Sequence, residues 1–171
     1  MCGPSPTEIL KNAETPLSYK QDAPRLLLVE ALEVAARNCP GGWHAVIIDD
    51  REVLSQLAAR LGSGLLGEAP YAVAVVAPEG SEHEALRASV YVEVAARFLG
   101  LTPLWVAAGG VDGVLGLPKN LRCVALVALG KAGKTRQPDD RSLRGRVHFN
   151  KYGGASGSML LQSLLKAKGL V

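Results

Sequence analysis

Residues 128–135 read ALGKAGKT: a small residue, four arbitrary positions and then Gly-Lys-Thr, the loose outline of a phosphate-binding loop. Such a loop works only when its glycine-rich turn opens directly into a helix, so that backbone N–H groups and the helix N-terminus face the phosphates. Thr135 leads instead into RQPDDRSLRGR. Gln137 precedes Pro138 and is biased away from helical geometry, and the remainder shows no apolar periodicity. Ala128 stands in place of the first glycine, inside a hydrophobic run that reads as a strand, and no clear partner strand ends in an aspartate to hold magnesium. The nucleoside-triphosphate reading is therefore disfavoured. The charge remains: Lys131, Lys134, Arg136, Arg141, Arg144, Arg146 and Lys151 face only Asp139 and Asp140 in the same stretch. That is either an anion-binding surface or a solvated basic loop.

Other reactive residues are sparse. Cys2, Cys39 and Cys123 are odd in number, widely spaced and without a CxxC, so neither a disulfide framework nor a zinc site is expected. His44, His83 and His148 form no HxxxH and lie near no cysteine, so no metal is expected either. No nucleophile triad and no paired carboxylates stand out, and no side chain is assigned a catalytic role. With 171 residues, 48% of them hydrophobic and 20% charged, the chain has the make-up of one globular domain with a real core. No apolar run approaches the length of about 18 residues needed to span a bilayer. The opening MCGPSPTEILKNAETP lacks the charged start and apolar middle of a signal peptide. A cytoplasmic protein with no membrane partner is the expectation.

The elements that must position any site alternate along the chain. Residues 22–38 carry apolar positions 27, 28, 31, 32, 34 and 35 on one helical face, with Pro24 placed to open the helix. Residues 44–49 read as a short strand, and 50–62 as a helix with Asp50 as cap and Gly62 at its end. Residues 71–78, YAVAVVAP, are apolar enough for a strand buried on both faces. The longest helix is expected over 81–100, with Ser81 and Glu84 as a capping box. Strands over 102–109 and 121–130 come next, then a polar stretch from Pro138 to about Gly157 and a final apolar segment, SMLLQSLLKAKGLV. No repeat or low-complexity region is seen, and one mixed α/β domain is the economical reading.

One explanation covers the series as a whole. From Gly100 onward the chain shows Gly100-Leu101 with Trp105, then LGLP at 115–118, a strand ending at Gly130, Arg141-Ser142-Leu143, and VHFN at 147–150. In order and spacing this resembles the C-terminal half of the nitroreductase-like flavoprotein family. Upstream, LLLVEALEVAARNCP, GGWHAVIIDDREVLSQLA and EAPYAVAVVA resemble that family's first long helix, the strand and helix after it, and the next strand. The likeness spans roughly residues 13–152. It implies an α+β nitroreductase-like fold, a central mixed β-sheet flanked by helices, over a single domain of residues 1–171. Residues 1–12 would be an N-terminal segment, and 153–171 a C-terminal extension suited to wrapping a partner subunit.

By the same resemblance the protein would be a homodimer holding FMN at the subunit interface. It would pass electrons from NAD(P)H to a nitroaromatic, quinone or similar small acceptor. The flavin would carry the redox chemistry and the protein would bind, orient and control access. The implied flavin-binding residues are Arg141, with Lys134 and Arg136, for the phosphate, and Ala107, Ala108, Gly109 and Trp43 for the ring. The departures are equally specific. Where the family has an Arg-Arg-Ser-x-Arg phosphate grip, this chain has Ala13-Glu14-Thr15-Pro16-Leu17. The family's asparagine-bearing turn is cut to Pro40-Gly41-Gly42-Trp43. Its Gly-Gly becomes Ala107-Ala108, and only PEGSEHE stands where an excursion of extra helices usually covers the flavin. Two other readings stay open: a flavin-less dimeric binding or scaffold protein of the same fold, and a polyanion-binding or nucleic-acid-binding module built on residues 131–151. The second is disfavoured because few aromatics interleave with the basic residues.

Overall fold

The structure is a computed structural model and describes residues 4–138, 146–147 and 159–169. The chain divides into two compact units, residues 1–138 and 139–171. The first unit opens with helix α1 (Pro6–Lys11) and strand β1 (Thr15–Tyr19), followed by α2 (Arg25–Asn38), β2 (His44–Ile48), α3 (Arg51–Leu61) and α4 (Gly64–Glu68). Strand β3 (Tyr71–Pro78), the long helix α5 (Glu82–Phe98), β4 (Leu104–Ala107), β5 (Leu121–Leu129) and β6 (Ala132–Arg136) complete it. The second unit contributes one described helix, α6 (Met159–Ala167), on which Met159 and Leu164 are exposed.

Local chemistry explains most boundaries. Pro24 occupies the cap position of α2, where its missing N–H is no loss. The Asp50 carboxylate accepts from the N–H groups of Glu52 at 2.8 Å and Val53 at 3.2 Å, satisfying the free donors at the start of α3. Gly62 ends that helix in the left-handed conformation, with φ 63°. The expected capping box at Ser81 and Glu84 does not form: Ser81 has φ −110° and ψ 15°, outside the extended cap geometry, and its side chain caps nothing. The Glu84 carboxylate instead packs against Gly42, and the Gly80 N–H is held by Glu82 at 2.8 Å. A true capping box lies where none was expected. Ser5 accepts from the Glu8 N–H and Glu8 accepts from the Ser5 N–H, and the latter bond holds the Glu8 carboxyl below its ordinary range.

The expected α+β arrangement, a central sheet flanked by helices, is the one adopted, but the sheet expected to be mixed is not: each ladder among the described residues is antiparallel. Four strands run in the order β2-β3-β5-β4. Alternation along β3 splits the core in two. Val73, Val75 and Ala77 face α2 and α5, whereas Ala72, Ala74 and Val76 face Leu54, Leu57 and Leu66 of α3 and α4. Burial on both faces is what its uninterrupted apolar sequence demands. The inner side of α5 is made of small residues, Ala85, Ala88, Ser89, Ala95 and Ala96, which let the helix lie close on the sheet.

A second sheet pairs β1 with β6, placing Thr15 opposite Arg136 and Pro16 opposite Thr135. The GKAGKT segment is thus largely strand, and neither a phosphate loop nor an irregular basic loop: Thr135 pairs with Pro16 within the ladder, and no helix N-terminus opens there. The buried Tyr19 anchors this small sheet. Its hydroxyl donates to the Thr102 carbonyl at 2.9 Å, and its ring lies where a side chain on Gly130 would stand.

Candidate functional site

The β1/β6 edge joins two segments far apart in sequence, residues 13–17 and 131–137. Lys134 and Arg136 are exposed on it, and the Lys134 N–H donates to Ser18 Oγ at 3.0 Å. Beside this edge, Asn12, Glu14, Arg97 and Thr102 line a polar cleft of about 160 Å³. Arg97 reaches it from the last turn of α5. Its guanidinium donates to the Glu14 carbonyl at 3.1 Å and to the Glu93 carboxylate at 2.9 Å, with only 16% of its side chain exposed. The Glu14 carboxylate accepts from Gln137 Nε2 at 2.6 Å. Cations and carboxylates are therefore interleaved here. Arg97 was missed by sequence reasoning because, four residues after Glu93 on a helix, it looks like half of an ordinary solvated pair; its burial depends on the N-terminal segment packing over it.

The residues expected to meet the flavin ring lie elsewhere. Trp43 immediately precedes β2, packs against the α2/α5 side of the core and donates its indole N–H to the Cys39 carbonyl at 2.7 Å. That is a structural tryptophan whose polar handle is already used. Ala107 closes β4, with Ala108 and Gly109 just beyond it; Ala107 and Gly109 are exposed. His44 pairs with Val76, Val76 with Cys123, and Ala107 with Ala125, so Trp43 and residues 107–109 flank the same end of the sheet on opposite edges. Two strands lie between those edges, which at the usual spacing puts them about 14 Å apart. Lys134 and Arg136 come after the far end of β5, beyond a strand length of about 13 Å from Ala125 to Leu129. Arg141 lies outside the described residues, as does His148. The proposed set thus falls into three places and forms no single cavity among the described residues.

Tested against FMN, these places fit unevenly. Arg136, with Lys134 on the same strand, is an exposed guanidinium suited to a phosphate. Glu14, half-buried in the stretch matched to the family's arginines, opposes it. The shortened turn at residues 40–43 is closed by a second carboxylate: a Cβ on Gly42, whose φ is +74°, would collide with the Glu84 carboxylate. The backbone at residues 107–109 remains accessible, and a side-chain atom on Gly109 would meet nothing within 4 Å.

Among the described residues no group of three or more His, Cys, Asp and Glu could hold a metal. Cys123 is buried and its thiol is pushed up to about 12, by desolvation first and then by the Asp112 carboxylate, which marks an inert packing thiol. Burial likewise raises the Tyr19 phenol well above its ordinary range, an effect partly offset by Arg97. No described helix is long and apolar enough to cross a membrane.

No protein-family model matches the chain, and no curated protein does. Solved structures do. An FMN-dependent nitroreductase from Clostridium difficile superposes with a TM-score of 0.72 at 20% identity, covering 84% of this chain and 98% of that one. Nitroreductase A from Vibrio parahaemolyticus gives 0.78 at 16% identity, covering 98% and 84%. An iodotyrosine deiodinase, solved with FMN and 3-iodo-L-tyrosine, gives 0.74 at 18% identity, covering 86% and 100%. The chain has the nitroreductase fold.

Proposed function

We propose that this chain is a divergent nitroreductase-like protein that acts as a homodimeric, FMN-dependent oxidoreductase, taking electrons from NAD(P)H and passing them to a nitroaromatic, quinone or similar small acceptor. The observation that carries the reading is the fold, together with the pairing of β1 and β6, which brings the segment matched to the family's N-terminal phosphate grip beside the basic strand. When bound, the flavin supplies the hydride and electron chemistry. The chain's own task is placement. Arg136 and Lys134, with Arg141 further along, bind the phosphate, and the exposed backbone at residues 107–109 borders the ring. These places do not close on each other within one protomer, so the reading requires a second copy to complete the cavity.

Purified protein should absorb between 350 and 500 nm, keep that absorbance after desalting and added FMN, and bleach when NADH or NADPH is supplied without oxygen. A colourless protein that takes up no FMN defeats the reading. That outcome would favour the second one, a flavin-less dimeric binding protein of the same fold, for which the placement of Glu14 and Glu84 speaks: both ends of the expected site carry a carboxylate where the family has arginine and asparagine.

A further inference from the structure

We propose that a small cavity between the turn after α2 and the first turns of α5 binds a zwitterion, the ammonium and carboxylate of a free amino acid. The site uses no flavin and stands apart from the β1/β6 edge. Cys39, Pro40 and Gly41 line one side of it and Glu84 and Arg87 the other, around a volume of about 140 Å³. The turn is held from within: the Trp43 indole N–H donates to the Cys39 carbonyl at 2.7 Å, and Gly41 and Gly42 take left-handed conformations with φ 91° and 74°. Glu84 is fixed in its turn, because its carboxylate fills the space that a side chain on Gly42 would need. The wall is therefore formed before a ligand arrives, which lowers the ordering cost of binding.

The charges on that wall select the ligand. Glu84 and Arg87 are three residues apart on one helix, a spacing at which opposite charges ordinarily meet. They do not meet here. Among the described residues neither side chain takes part in an ion pair or a hydrogen bond, because the Glu84 carboxylate lies on Gly42 instead. An anion and a cation thus border the same cavity without neutralising each other. A phosphate or a lone carboxylate would meet Arg87 and be repelled by Glu84; a lone amine would find the reverse; a neutral molecule would answer neither charge. A group carrying both signs a few ångströms apart satisfies each, and the α-ammonium and α-carboxylate of an amino acid are such a group. The volume agrees: at about 30 Å³ per water it holds four or five waters, roughly the bulk of an amino-acid head with a small side chain. Arg87 is exposed, so the cavity opens to solvent there and a longer side chain can extend outward.

The test is titration of the full chain with L-alanine, followed through its amide NMR resonances. The Gly41 and Arg87 amides should move saturably, with a Kd on the order of millimolar for a ligand held by two charged hydrogen bonds. Ethylamine, which keeps only the ammonium, and propionate, which keeps only the carboxylate, should each bind at least about tenfold more weakly. Glu84→Gln should weaken alanine about tenfold and leave it no better a ligand than propionate. Arg87→Gln should weaken it equally and leave it no better than ethylamine. Both substitutions change a side chain with no partner to lose and should fold with unchanged circular dichroism. Arg37→Gln, at an exposed arginine of α2 outside the cavity, should bind alanine as wild type does. Four results each overturn the site: no saturable movement of these amides in wild type, equal alanine affinity in wild type and both cavity variants, an equal loss in Arg37→Gln, or ethylamine or propionate binding as tightly as alanine. None of them bears on the flavin reading, which keeps its own spectrum.

Discussion

Replacing Glu14 with arginine tests the electrostatics of the proposed site most directly. The half-buried Glu14 presents its carboxylate to Gln137 at 2.6 Å, and only its backbone carbonyl is held by Arg97. The substitution therefore leaves the Arg97 contact in place and gives up a single side-chain hydrogen bond, worth about 1 kcal/mol of stability. In exchange the edge beside Arg136 gains a guanidinium and loses a negative charge. One charge-assisted hydrogen bond to a phosphate contributes about 1.5 to 3 kcal/mol, and each 1.4 kcal/mol is about a factor of ten. FMN should bind Glu14→Arg about ten to a hundred times more tightly than wild type, with the gain shrinking as salt is raised. Riboflavin, which has no phosphate, should bind both proteins equally. Titration followed by quenching of flavin fluorescence measures all four affinities at each of two ionic strengths. Equal FMN affinity in both proteins, or an equal gain for riboflavin, would refute the placement of the phosphate at this edge.

Three other outcomes are expected. Lys134→Ala and Arg141→Ala should each weaken FMN by about ten to a hundredfold and spare riboflavin; ATP binding to wild type, abolished by Lys134→Ala, would instead revive the phosphate-loop reading. Asp50→Ala removes the cap that holds two N–H groups at the start of α3 and should cost about 1 kcal/mol, lowering Tm by about 2 to 4 °C; an unchanged melting curve would contradict it. The Cys123 thiol is raised to about 12 in the fold, so the folded state holds its proton where the unfolded chain, titrating near 9, releases it. That contribution is complete below about pH 9 and is lost as the pH climbs towards 12. Denaturant unfolding from pH 8 to 11 should show a steeper alkaline decline in wild type than in Cys123→Ala, and parallel declines would be inconsistent with a buried, protonated thiol.

Local rules in the sequence determined much of the framework. Period 3.6 marks α2 and α3, the unbroken apolar run marks β3, and Pro24, Asp50 and Gly62 mark helix ends, because each signal acts over a few residues through backbone geometry or a nearby donor. The ordered series of such pieces was enough to point to the nitroreductase fold. What depended on distant contacts was not legible. Ser81 and Glu84 have the spacing of a capping box, yet Glu84 is drawn to Gly42, some forty positions upstream in the chain. The GKAGKT segment reads as a turn or a phosphate loop until β1 arrives from more than a hundred residues away to pair with it. Trp43 carries a plausible ligand-stacking side chain until its indole is seen bound to Cys39. Arg97 becomes half of a partly buried pair only under the N-terminal segment. Helix ends and strand runs are decided by neighbours in the chain, whereas the charge and access of a site are decided by whichever segments the tertiary fold brings beside it.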